Sequence, residues 1–229
     1  MNTQIIATIG PASSNLKILK QMIHEGVNIL RLNTKYVSVE EFDKFYNKIK
    51  NFKKIKIMVD IKDRALLEEY KNKSIDYLAI SFAENEIEIK KIKNIFNKNV
   101  KIISKIETKK GVENLDKLIQ VSDGIMIARG DLGRNISIEK VPFVQKLITK
   151  KCNKKNIMSI TATEVMPSMI NYVRPSRAEV SDIANAIIEG TESLMLSEET
   201  AIGKHPVLVI KNLKKIILET EKNLSKLKC

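Results

Sequence analysis

The chain has 229 residues, 43% of them hydrophobic and only 5% aromatic, with no Trp; this is ample for one barrel-sized domain or two small ones with a full core. The Ile-rich apolar set suits buried parallel strands rather than an aromatic-packed core. Lys and Arg number 40 against 27 Asp and Glu, a formal charge of +13, but the lysines alternate with Asn, Glu and Ile in helix-like stretches and no Arg cluster is interleaved with aromatics, which argues against a specific nucleic-acid surface and for solvated helix faces whose field draws in small anions.

Short apolar runs recur along the chain, at residues 4–9, 28–33, 55–61, 77–82, 101–106, 124–128, 157–161 and 193–196. Each has the length of a buried strand. Longer amphipathic segments lie between them. Helical spacing is plain at Leu16, Leu19, Met22 and Ile23, then at Phe42, Phe45, Tyr46 and Ile49, and finally at Val209, Leu213, Ile216 and Ile217. Strict alternation implies parallel strands with right-handed crossovers. Eight such units in this length predict a single (β/α)8 TIM barrel over residues 1–229. A doubly wound open sheet is the alternative, but Gly10-Pro11-Ala12-Ser13-Ser14 lacks the dinucleotide-loop pattern such a sheet usually carries.

Cys152 and Cys229 have no CxxC partner or His pair nearby, so a metal centre or disulfide framework is not expected of them. The beginning of the chain does not read as a signal peptide, and no run reaches transmembrane length. A cytoplasmic protein without membrane contact is expected.

Barrels carry their chemistry at the C-terminal ends of the strands. Those ends hold Arg31 and Asn33, Asp60 and Lys62, Ser81, Lys105 and Glu107, Arg129 with Gly130 and Asp131, Thr161 and Thr163, and 197–200. Lys105 and Glu107 stand two apart on a strand and share a face; Asp131 ends the next strand. Two carboxylates with open positions suit Mg2+ or Mn2+, and a lysine beside the ion would stabilise an enolate or a transferring phosphoryl group. A Lys–Glu–Asp ion-pair network closing the barrel layer explains the same residues. Gly130-Asp131-Leu132-Gly133 reads as a loop whose backbone N–H groups face an anion, or as an ordinary turn. Arg31 suits bidentate anion binding or a salt bridge at the mouth.

Several stretches resemble pyruvate kinase, in that family's order: residues 5–13 (IIATIGPAS), 30–33 (LRLN), 102–107 (IISKIE), 122–133 (SDGIMIARGDLG), 174–185 (RPSRAEVSDIAN) and 195–203 (MLSEETAIG). The resemblance implies roles residue by residue. Lys105 matches the lysine that stabilises enolate and phosphoryl. Glu107 and Asp131 match the divalent-metal ligands. The backbone of Arg129, Gly130 and Asp131 matches the loop that holds the pyruvate carboxylate. Thr163 matches the threonine near the enolate methylene, and Arg31 the phosphate-contacting arginine. Asn33 and Asp60 match half of a monovalent-cation site. Ser197 matches the start of the family's SGET stretch.

The chain also departs from the family. No lid domain follows the third strand, where residues 65–72 read as a short helix, and the family's C-terminal allosteric domain has no counterpart. Lys35 and Ile61 replace hydroxyl ligands of the cation site, so K+ is expected to be dispensable, with Lys35 carrying its charge. Tyr36, Glu198, Ile202, Glu164 and Pro167 alter the nucleotide side. The expected function is therefore a metal-dependent lyase or aldolase working through the enolate of pyruvate or phosphoenolpyruvate, with an aldehyde as a further substrate and Thr163 or Glu164 relaying a proton. A minimal pyruvate kinase acting on phosphoenolpyruvate and ADP is the second expectation, and a non-catalytic keto-acid-binding module the third. Segment 173–184 resembles a family subunit-contact region, which implies a homo-oligomer.

Overall fold

A computed structural model describes residues 2–227 apart from 53 and 97; Cys229 falls outside the described residues. Eight parallel strands pair in chain order and close into a barrel: β1 Gln4–Thr8, β2 Ile29–Asn33, β3 Lys56–Ile61, β4 Tyr77–Ile80, β5 Lys101–Ile106, β6 Gly124–Ala128, β7 Met158–Ala162 and β8 Ser193–Leu196. Helices alternate with them, the expected (β/α)8 arrangement.

The two-residue period of a strand sorts these side chains into two cores. Ile5, Leu30, Val59, Leu78, Ile102, Ile125 and Leu194 point outward and pack under the helices. Ile6, Ile29, Met58, Ala79, Ile103, Met126, Ile160 and Met195 fill the interior. Two residues further along, the interior positions turn polar: Ile6 gives way to Thr8, Ile29 to Arg31, Met58 to Asp60, Ala79 to Ser81 and Ile103 to Lys105. All five polar side chains are buried. The strands thus plug the lower barrel with aliphatic groups and present a charged layer at the other end.

Helix ends are set by local chemistry. Asn15 caps Leu16–Glu25 by accepting from the Lys17 N–H, and Gly26 closes it at φ 125°, a conformation that favours glycine. Ser38 with Glu41, and Ser176 with Glu179, form capping boxes at the starts of Val39–Ile49 and Arg177–Ile188. The final helix, Pro206–Leu227, packs on Leu16–Glu25 and Arg177–Ile188 and seals the junction of last and first strands. Among the described residues no helix is long and apolar enough to cross a membrane.

Local structure departs from the sequence expectations in two places. β4 ends at Ile80 instead of running to Phe82, because Phe82 adopts φ 51° and leaves the sheet. Gly130-Asp131-Leu132-Gly133 is not a loop but part of the helix Arg129–Asn135. Between β3 and β4 the chain makes only a 3-10 turn, Arg64–Leu66, and one helical turn, Leu67–Tyr70. No lid is inserted there.

Candidate active site

The charged layer forms the floor of a cavity of about 440 Å3 at the C-terminal end of the barrel. At its centre the Lys105 ammonium meets three partners: Asp60 Oδ1 at 3.0 Å, Ser81 Oγ at 2.8 Å and Glu107 Oε1 at 3.0 Å. Arg31 donates from Nε and Nη2 to Asp60 Oδ2, at 2.9 and 2.7 Å, and from Nη1 to Thr8 Oγ1 at 2.7 Å. Asp60 is thus the hub, 1% exposed, with a cation on each oxygen. Burial alone would push its carboxyl up, but Lys105 and Arg31 outweigh it and hold Asp60 below the ordinary carboxylate value. Glu107 goes the other way. Burial pushes its carboxyl up, and Lys105 with the Phe82 N–H offsets only part of that. The Phe82 N–H reaches Glu107 Oε2 at 2.6 Å, so the left-handed Phe82 serves to aim a donor at this carboxylate.

Glu107 and Asp131 both line the cavity. Each Glu107 oxygen has one donor and keeps a lone pair free. Asp131 is half-exposed and faces Arg134 at 3.5 Å. Among the described residues no group of three or more His, Cys, Asp or Glu could hold a metal alone, so a cation here would draw further ligands from substrate and water, the habit of Mg2+.

Arg31, Lys105, Thr163 and Ser197 line the cavity together with Asn33 and Lys35, and Asp60 lies beneath them. The Ser197 hydroxyl is buried without a hydrogen-bond partner among the described residues. Glu164 is exposed and stands outside the cavity wall. Lys35 is exposed, its ammonium 5.0 Å from the centre of the Tyr36 ring; the charges on Asp60 are Arg31 and Lys105 instead. The Gly130 N–H is already taken by Thr163 Oγ1 at 2.8 Å.

The Arg129 side chain turns away from the cavity. Its Nε and Nη2 donate to the Thr163 carbonyl at 3.1 and 2.8 Å, and Nη2 also to the Glu164 carbonyl at 2.8 Å. Its Nη1 meets Asp182 Oδ2 at 2.5 Å. Thr163 and Glu164 both sit at positive φ, 67° and 52°, which costs on the order of 1–3 kcal/mol per residue away from glycine. Charge-assisted bonds of about 1.5–3 kcal/mol each are of the size needed to hold such a turn.

Sequence reasoning missed Thr8, which the strand-end rule would have found, and the Phe82 N–H, which nothing in the sequence signals. At the outer lip, where it had named Lys62, Tyr36, Glu198 and Ile202, it missed Pro11, Val37 and the stacking of Lys62 over Phe82.

The model of the pyruvate kinase barrel domain matches residues 1–62 and 56–210. The break falls at the end of β3, where the lid was expected to be missing. A pyruvate kinase of Methanocaldococcus jannaschii is 49% identical over 147 residues, 63% of this chain and 33% of its own length. One from Clostridium perfringens is 38% identical over 205 residues, 88% of this chain and 39% of its own. One from Thermoplasma acidophilum is 29% identical over 313 positions, 94% of this chain and 58% of its own; an alignment longer than the chain must open gaps in it. The chain therefore spans about a third to three-fifths of the length of these relatives. These findings overturn the expectation of a lyase or aldolase. That expectation rested on the altered nucleotide side, yet the matched relatives are named pyruvate kinase.

Proposed function

Because the chain belongs to the pyruvate kinase family, we propose that its barrel transfers a phosphoryl group from phosphoenolpyruvate to ADP. The observation that carries this reading is the Lys105 ammonium, fixed at the cavity floor by Asp60, Ser81 and Glu107. As the phosphoryl leaves, negative charge builds on its oxygens and on the enolate oxygen. A cation already held in place meets that charge without reorganising. The Lys105 ammonium has three partners, hydrogen-bonded to Asp60 and Ser81 and ion-paired with Glu107, and Ser81 is the one neutral partner. A substrate oxygen displacing it leaves both ion pairs intact. Thr163 Oγ lines the same cavity and is the residue assigned to the proton that returns to the enolate carbon. Glu164, outside the wall, is left out of this step.

The floor pairs two cations, Arg31 and Lys105, with two anions, Asp60 and Glu107. On balance it offers an anionic substrate little attraction. Mg2+ or Mn2+ held by Glu107 and Asp131 fits this arrangement, since it would make the floor cationic and relieve the burial of Glu107. When bound, it supplies Lewis-acid charge to the substrate oxygens.

The monovalent-cation site reads as non-functional. Both Asp60 oxygens hold cations of the chain itself, and Asn33 Oδ1 accepts the Lys35 N–H at 3.1 Å. Replacing K+ by tetramethylammonium should leave the rate unchanged within about twofold; activation by K+ of about tenfold or more would contradict this. Self-association is proposed on the outer face next to segment 173–184, where Tyr172 and Val173 are 70% and 53% exposed. Light scattering on the eluted protein reads it directly.

The test of the main reading is a coupled assay for pyruvate and ATP from phosphoenolpyruvate and ADP with Mg2+. Turnover at roughly 1 s−1 or faster supports it. Tight binding of phosphoenolpyruvate and metal without ATP formation overturns it.

A further inference from the structure

We propose that Asp182, on the outside of the barrel, is a positioning residue that acts on the active site through Arg129. β6 and β7 are neighbours whose last residues pair, Ala128 with Ala162. Immediately beyond that pair the two chains diverge, Arg129 into a helix and Thr163–Glu164 into two consecutive left-handed residues. Such a turn without glycine has little reason to persist by itself. What closes it is one guanidinium, which holds the carbonyls of both residues.

The guanidinium is in turn fixed from behind. Asp182, from the helix Arg177–Ile188, takes Nη1 at 2.5 Å, and Gln145, from the helix Val141–Lys155, lies at 3.4 Å. Arg129 is only 10% exposed, whereas Asp182 is 42% exposed and borders an outer cavity of about 270 Å3. The fork geometry matters, because a guanidinium can serve two carbonyls and a carboxylate in one plane and an ammonium cannot. With the turn held, Thr163 Oγ1 bonds the Gly130 N–H at 2.8 Å and the Ala162 carbonyl at 2.5 Å, at the cavity wall. Asp182 therefore sets where the Thr163 hydroxyl sits without touching the cavity floor. Its loss should slow the chemical step more than it weakens substrate binding.

The inference rests on the proposed phosphoryl transfer only for its kinetic readout. The clamp has a second readout, amide hydrogen exchange of residues 162–165. In Asp182→Asn this segment should exchange about tenfold faster. The kcat should fall by about tenfold with the KM for phosphoenolpyruvate changed by less than about threefold, and Asp182→Glu should restore both in large part. Arg129→Lys keeps the charge but loses the fork, and should show the same two changes; it stands in if Asp182→Asn does not fold. Exchange of the segment unchanged within about twofold in both variants overturns the clamp, whatever happens to the rate. A fall in kcat without faster exchange also overturns it. A wild-type protein with no phosphoryl transfer would refute the proposed reaction and leave the exchange test of the clamp intact.

Discussion

The floor of the cavity and its lip are built on opposite principles. On the floor, Arg31, Asp60, Ser81, Lys105 and Glu107 are all less than 10% exposed, and each is hydrogen-bonded or ion-paired to another of the five. On the lip, Tyr36 and Ile202 expose 72% and 57% of their surface, while Lys35 and Lys62 stack over aromatic rings and Glu198 is exposed. Floor residues come from strand ends, where the barrel dictates direction. Lip residues come from loops and from the first residue of the short helix Glu198–Ala201, where it does not. A floor so interlocked tolerates no change without losing both stability and rate. A lip so loosely held can change and alter only what is admitted.

Substitutions that separate those two behaviours sharpen the contrast. The largest effect is expected from Asp60→Asn, which leaves Arg31 and Lys105 buried and short of an anion. It should lose about 3–5 kcal/mol of stability in urea melts and most of its activity. Lys105→Met keeps length and apolar stem, and should fold; its kcat should fall by about 10²–10³, measured in single-turnover assays. If either change proves neutral, the floor is not the interlocked unit described here.

Acid should reach the floor by the same route. The folded Asp60 carboxyl lies below its ordinary value of 3.8. An unfolded chain therefore binds that proton more readily, and the stabilisation is full above about pH 4. It is lost as the pH falls through the folded value. Wild-type denaturation midpoints should drop along that limb, and those of Asp60→Asn should drop less. At the lip the effect should be small: Glu198→Gly removes a carboxylate from the cavity wall and should lower the KM for ADP by about threefold to tenfold, with kcat unchanged. A large fall in kcat there would erase the distinction between lip and floor.

The same distinction explains what the sequence could tell. The barrel was legible because eight apolar runs alternate with helical spacing and each strand buries both faces. Lys105 and Glu107 were legible as a pair because residues two apart on a strand share a side. Lys35 was not, since a loop residue has no fixed direction, and its ammonium lies over Tyr36. For Arg129 the motif spoke only of the backbone and gave no direction for the guanidinium, which reaches back to Asp182. The left-handed Phe82, Thr163 and Glu164 carry no glycine to announce them. Their conformation comes from tertiary partners, which a local pattern does not contain. The preference for a lyase came from weighing altered lip residues against an intact floor, and the relatives, named pyruvate kinase, run against it.

The central claim is that this floor drives phosphoryl transfer. Phosphorus NMR of phosphoenolpyruvate, ADP and Mg2+ with the purified chain tests it most directly. The account predicts loss of the phosphoenolpyruvate resonance with matching growth of the ATP γ-phosphate resonance, and neither change with Lys105→Met. Phosphoenolpyruvate that stays intact with the wild type, or that disappears into inorganic phosphate alone, would contradict it.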